Sequence, residues 1–162
     1  MERSIALRSA VPEDQEFLLS VYASSRDEEM SAWGWDDNQK RGFLEMQWRA
    51  KNHQYNQAYP QADDSVVLLN GQPIGRMMAD KKGSYITFLD IALLPEYQNQ
   101  NIGTRLIQML LQEAADAQKS VVLHVLRTNR AARLYERMGF KIVSEDGVYR
   151  EMKFTPTKTT VI

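Results

Sequence analysis

Residues 90–104 read Asp-Ile-Ala-Leu-Leu-Pro-Glu-Tyr-Gln-Asn-Gln-Asn-Ile-Gly-Thr, and residues of these types in this order can hold an anion. An apolar strand over 85–94 ends at Pro95. A polar turn follows with Gln98, Asn99, Gln100, Asn101 and Gly103. Ile107, Leu110, Leu111 and Ala114 then fall at i, i+3, i+4 and i+7, the stripe of a core-facing helix. The first turn of a helix has backbone N–H groups with no intrahelical acceptor, and the helix dipole favours negative charge there. The main chain from Gln98 through Ile102 to Thr104 is therefore placed to meet a phosphate. A plain strand-to-helix connection has the same geometry, so residue types must separate the two readings.

Two further groups could move or attract charge. Asp90 and His124 are polar residues in otherwise apolar strands. Each could face a cleft as a proton acceptor, or be a satisfied structural group. Glu28, Glu29, Asp36 and Asp37 lie close in sequence to Trp33 and Trp35, with Tyr55 and Tyr59 further on. Carboxylates and rings together attract an ammonium by charge and by cation–π contact. The opposing readings are a solvated acidic loop, aromatics that bury a loosely patterned helix, or a homodimer interface.

The segment Leu94-Pro95-Glu96-Tyr97-Gln98-x-x-Asn101-x-Gly103 resembles the acetyl-CoA-binding signature of the GNAT superfamily of N-acetyltransferases, Gln/Arg-x-x-Gly-x-Gly/Ala. Gln98 and Gly103 match, and Asn101 stands where the family usually has glycine. Asn129-Arg-Ala-Ala-Arg-Leu-Tyr135-Glu-Arg-Met-Gly139-Phe140 resembles the family's second signature, Asn-x-x-Ala-x-x-Leu-Tyr-x-x-x-Gly-Phe: Ala131, Leu134, Tyr135, Gly139 and Phe140 match, and Asn129 stands one residue after the asparagine position. The resemblance spans about residues 5–154, closest over 85–140 and loosest over 22–64.

It implies an enzyme that transfers the acetyl group of acetyl-CoA to a primary amine by direct attack, with no covalent enzyme intermediate. Acetyl-CoA would be the co-substrate. Gln98, Asn99, Gln100, Asn101, Ile102, Gly103 and Thr104 would hold its pyrophosphate. Main-chain groups of Ile91, Ala92 and Leu93 would face the pantetheine and thioester, on a strand that splays from the next one, and Asn129 would bond the pantetheine arm. Tyr135 would be the acid for the departing thiolate. Asp90, His124 or a water chain would be the base. The acceptor would lie on the wall formed by the first two helices, with Glu28, Glu29, Trp33 and Trp35 as candidate contacts. A non-catalytic acyl-CoA-binding or sensor module of the same fold is the alternative. A nucleotide-binding protein of another kind is a further rival, but the chain has neither a P-loop Gly-Lys-Ser/Thr nor a G-x-G-x-x-G fingerprint.

Positioning such groups needs an ordinary globular core. The chain has 162 residues, 43% hydrophobic and 25% charged, with net charge −1, values that suit one domain and give no field for nucleic acid or an acidic membrane surface. The absence of cysteine excludes disulfides, a thiol nucleophile and a cysteine-ligated metal. The two histidines, His53 and His124, have no metal-ligand spacing, so no metal is expected. No run approaches the roughly 18 apolar residues of a membrane span, and no signal-peptide core is seen at the N-terminus, so a cytoplasmic location is expected.

In order, the patterns give a strand over 4–8, a helix after Pro12 and a polar acidic break over 24–37. A second helix capped by Asp36 or Asp37 runs to about 55, with Phe43, Leu44, Met46 and Trp48 as its apolar positions, and a loop covers 54–64. Strands over 66–69 and 74–79 join at Asn70-Gly71. Next come the 85–94 strand and the helix with its 107–114 stripe. A strand over 121–126 follows, and then a helix capped by Asn129 and stopped at Gly139. Strands over 141–144 and 148–154 finish the order. The reading is an α+β, mixed α/β, single GNAT-like domain over 1–154. Its central, mostly antiparallel twisted sheet is flanked by about four helices, and a frayed tail covers 155–162.

Overall fold

The computed structural model describes residues 3–157. Strand β1 (Ile5–Ser9) pairs antiparallel with β2 (Asp63–Leu69), from Ile5↔Leu69 to Ser9↔Ser65. Pro12 opens a short 3-10 turn, Pro12–Asp14, where its missing N–H costs nothing. Helix α1 (Gln15–Ser31) then runs through half of the expected break over 24–37. The polar residues there are compatible with helix. Ser24, Ser25 and Ser31 hydroxyls donate to carbonyls three residues back, Arg26 pairs with Glu29, and Met30, 1% exposed, anchors the last turn in the core. Glu28 and Glu29 are thus helical residues and not part of a loop.

Helix α2 (Asp37–Ala58) starts at Asp36, whose carboxylate accepts from the Gln39 N–H while the Gln39 side chain accepts from the Asp36 N–H. This reciprocal box satisfies two of the donors that every helix start leaves over. The helix runs three residues past the expected end and leaves only 59–62 as a connection to β2. Leu44 and Trp48 are buried, whereas Met46 is 62% exposed. Two residues along a helix is a turn of about 200°, so Met46 cannot share the face of Leu44 and Trp48.

Asn70 (φ +51) and Gly71 (φ +83) form the tight turn into β3 (Gln72–Asp80). Both central residues have positive φ, the pattern that matches the twist of a two-residue hairpin. The remaining elements are β4 (Ile86–Leu93), α3 (Ile102–Asp116), β5 (Val121–Leu126), α4 (Ala131–Arg137), β6 (Lys141–Glu145) and β7 (Tyr149–Phe154). Tyr85 precedes β4 and is exposed, a correction to the expected strand start. The seven strands form one mixed sheet in the order β1-β2-β3-β4-β5-β7-β6. The β4–β5 pair is parallel and uses α3 as its crossover, while β5–β7 and β6–β7 are antiparallel.

By contact density the chain falls into two compact units, one of residues up to Met78 with Asp90–Gly103, the other of Ala79–Leu89 with Thr104 onward. Their boundaries fall inside β3, β4 and α3, not in linkers. The first unit has a core of Leu18, Trp48 and Val66, with Phe17, Tyr22 and Leu68 packed against it. In the second, Leu106, Ile107, Leu110 and Ala114 of α3 and Val121, Leu123 and Val125 of β5 are buried, with Phe140 and Met152. Residues 158–162 of the expected tail lie outside the described residues. Among the described residues no helix is long and apolar enough to cross a membrane.

Candidate functional site

After β4 the chain makes a 3-10 turn at Pro95–Tyr97 and enters α3 at Ile102, five residues before the stripe that announced the helix. Asn99 (φ +60) and Asn101 (φ +64) both have left-handed backbone. Asparagine is among the side chains that tolerate this best, which is how the turn keeps the conformation with asparagine where a glycine would be usual. Gln98 donates through Nε2 to the Leu93 carbonyl (2.9 Å), and Gln100 donates to the Glu96 carbonyl (2.6 Å) while accepting from Arg3 (2.6 Å). The side chains of Gln98 and Gln100 therefore brace the turn, and the part left for an anion is main chain. Gly103 lies in the first helical turn, and a Cβ built there meets nothing within 4 Å.

Ile91, Ala92 and Leu93 lie at the end of β4 and are half-buried. The Leu94 N–H donates to the Ile74 carbonyl (2.9 Å), and a Cβ at Gly75 would run into the Ala92 carbonyl oxygen. Here β3 approaches β4 so closely that only glycine fits. The parallel β4–β5 register covers Ile86↔Val121 to Phe88↔Leu123, whereas β4 itself extends to Leu93 and β5 to Leu126.

Asp90 does not stand alone. Its Oδ2 lies 3.4 Å from Lys51 Nζ on α2, and that ammonium sits 5.4 Å from the Tyr22 ring centre and 5.8 Å from the Tyr55 ring centre. Arg26 donates to the Tyr22 hydroxyl (2.9 Å). Nearby, Arg76 is buried and held in a fork by Asp64 (2.9 and 2.8 Å). Burial works against the Arg76 charge, but Asp64 and then Asp90 more than offset it and leave its pKa raised. Burial, assisted by the Asp90 carboxylate, pushes the Tyr55 phenol up to about 12. Lys51, Tyr22 and Arg76 were not legible as site residues. The one local signal was the i, i+4 pair Lys51–Tyr55; the rest depends on contacts across the fold.

Tyr135 lies on α4 with its ring edge-on to Phe88 (6.3 Å between centres) and to Phe140 (5.8 Å). Asn129 lies two residues before α4, and its Oδ1 accepts from the Ala131 N–H (2.9 Å); the N-cap position itself is Arg130, whose side chain makes no cap bond, a correction to the expected cap at Asn129. Gly139 ends the helix at φ +105, with Phe154 against it. His124 is placed differently. Its neighbour Leu123 is in register with Phe88, the residue under Tyr135, and successive strand residues point to opposite faces. His124 therefore faces away from Tyr135. It is exposed and lies 3.7 Å from Glu151, its cross-strand partner on β7.

The acidic–aromatic segment separates into parts. Glu29 pairs with Arg26, Asp36 caps α2, and Trp33, Trp35 and Phe43 pack edge-on at 5.2–5.6 Å. Trp33 and Trp35 remain 39% and 38% exposed. A groove of about 600 Å³ runs between α1 and α2, and its carboxylates are Glu16, Asp27 and Asp37. Glu28 and Glu29 do not line it.

The acetyltransferase (GNAT) domain family matches residues 62–142, half of the chain. Among solved structures, the PaiA N-acetyltransferase of Thermoplasma acidophilum, in complex with coenzyme A, is 20% identical with a TM-score of 0.70, over 94% of this chain and 99% of that one. The spermidine N-acetyltransferase of Vibrio cholerae, in complex with CoA and spermine, is 21% identical with a TM-score of 0.62, over 93% and 95%. The ribosomal-protein-S18-alanine N-acetyltransferase of Escherichia coli is 16% identical with a TM-score of 0.61, over 97% of each. These are likenesses of fold. No curated protein sequence gives a significant match.

Proposed function

The chain belongs to the GNAT acetyltransferases, and from that premise we propose that it transfers the acetyl group of acetyl-CoA to a primary amine in a ternary complex. The observation that carries this reading is the turn before α3. It combines left-handed backbone at Asn99 and Asn101, a helix N-terminus, and open space in front of Gly103. Main chain from Gln98 to Thr104 would hold the pyrophosphate. The end of β4 from Ile91 to Leu93, past its register with β5, would offer main-chain groups to the pantetheine and the thioester oxygen.

The chemistry asked of the protein is modest. The amine's nitrogen forms a bond to the acyl carbon, the carbon–sulfur bond breaks, the amine loses a proton and the sulfur gains one. An alkylammonium has a pKa of about 10.4, so its proton must leave before attack. Tyr135, whose ring is fixed between Phe88 and Phe140, is the proposed donor to the sulfur. His124 is a poor base in this reading because it faces the other side of the sheet, which leaves Asp90, paired with Lys51 in the free protein, or water as the base. Two similar folds carry a polyamine and a protein alanine in their names, so fold does not select the acceptor.

The test is release of free CoA thiol from acetyl-CoA across a panel of amines. The chain has no cysteine, so thiol detection has no protein background. Turnover with one or more primary amines supports the transferase. Tight acetyl-CoA binding with no turnover would support the sensor reading, and stabilisation by ATP or NAD in its place would remove both.

A further inference from the structure

We propose that Tyr22, Tyr55 and Asp90 form a seat for a primary alkylammonium, which Lys51 fills in the free protein and the acceptor amine takes over. Two rings within 6 Å of a cation and a carboxylate at 3.4 Å are the chemistry that recognises an ammonium on an aliphatic stem. The occupant here is the chain's own.

Two features make Lys51 the exchangeable cation. Its contacts are loose, at a long ion-pair distance, and its side chain is 34% exposed. Arg76 shows the contrast, with its side chain 8% exposed and gripped by two short bonds from Asp64. Lysine is a point charge on a four-carbon flexible stem, so it can swing out without breaking a fork of hydrogen bonds. Arg76 donates its fork of hydrogen bonds to Asp64 and feels Asp90 only through space, so the ion pair that Asp90 makes is with the ammonium in the seat. Asp90 also directly precedes Ile91, the start of the main-chain run assigned above to the thioester arm, so an amine seated there is delivered to the right end of β4. The predicted acceptor class is an unhindered primary alkylammonium of lysine-like width. Its catalytic meaning rests on the transferase reading; the seat itself does not.

Lys51→Ala removes three methylenes and the ammonium, the shape of n-propylammonium. Thermal melting of this variant is followed with n-propylammonium chloride, against sodium chloride at equal ionic strength. The expected result is a specific rise of about 2–4 °C for Lys51→Ala, a much smaller one for wild type whose seat is filled, and none for Lys51→Ala/Asp90→Asn. An equal rise in all three, or no rise in Lys51→Ala, overturns the seat. Should Lys51→Ala not fold, Lys51→Met keeps the stem without the charge. It should lower the KM for a primary alkylamine by about threefold or more at unchanged acetyl-CoA affinity; an unchanged or raised KM overturns the exchange. Failure to bind acetyl-CoA would sink the transferase reading and leave the propylammonium result standing.

Discussion

At Tyr135 the ring and the hydroxyl have separable jobs. The ring packs against Phe88 and Phe140, contacts that phenylalanine keeps. Tyr135→Phe should therefore keep the ring packing and acetyl-CoA affinity and lower kcat by about 10²-fold, the lower end for a lost general acid. The comparison is made under conditions where chemistry limits turnover, and an unchanged kcat would return Tyr135 to a packing role. His124 makes the opposite case. Exposed, beside Glu151 and turned from Tyr135, it should be dispensable. The pH profile of kcat/KM for His124→Ala should overlay that of wild type within about twofold. Loss of one limb of that profile would make His124 the base after all.

Two glycines give tests at the scale of elements. Gly103 sits in the first turn of α3 with open space where a side chain would go. Gly103→Val should fold, at no more than the usual propensity difference of under about 1 kcal/mol, since nothing crowds it. It should nevertheless weaken acetyl-CoA by about tenfold or more, or about 1.4 kcal/mol, because the branched side chain fills the approach to the N–H groups. Titration calorimetry reads this, and wild-type affinity would misplace the pyrophosphate. Gly75 differs in that a Cβ would collide with the Ala92 carbonyl and the Leu93 side chain. Gly75→Ala must push β3 from β4, and a loss of about 1–3 kcal/mol in urea unfolding is expected, the usual range for overpacking. Weaker acetyl-CoA binding should accompany it, since the displaced strand end is the part assigned to the pantetheine.

For the molecule as a whole, acid sensitivity should arise in both compact units. In the first, Asp14 accepts two hydrogen bonds from Arg8 (2.7 and 2.9 Å) and one from the Val11 N–H (2.8 Å), tying β1 to the turn before α1. Arg8 first, and the Val11 N–H second, lower its pKa from 3.8 to about 2. In the second unit, the Tyr149 and Val148 N–H groups lower that of Asp146. A carboxylate depressed by folding contributes stability that is complete above its unfolded pKa and is lost as pH falls through the folded one. The stability gap between wild type and Asp14→Asn should hold steady above about pH 5 and shrink from about pH 4 toward pH 2. A gap independent of pH down to 2 would show that Asp14 is not the titrating group.

How far the sequence alone reached follows from the range of the interactions. The Asn70-Gly71 hairpin, the Asp36 cap, the Gly139 stop and the strand–turn–helix at 90–104 depend on neighbours a few residues apart, and each was legible from residue types. So were the two signatures that pointed to the family. Helix α1 ran on through Ser24–Ser31 because Met30 reaches the core, and no local pattern announces that. The face of His124 was open until register with β4 decided it. Lys51 and Asp90 lie 39 residues apart, and each alone reads as an ordinary charge. Short-range sterics and hydrogen bonding wrote the elements and the strand–turn–helix at 90–104 into the sequence. Which charges meet, and which face each polar residue takes, was decided only when packing brought α2 and the end of β4 together.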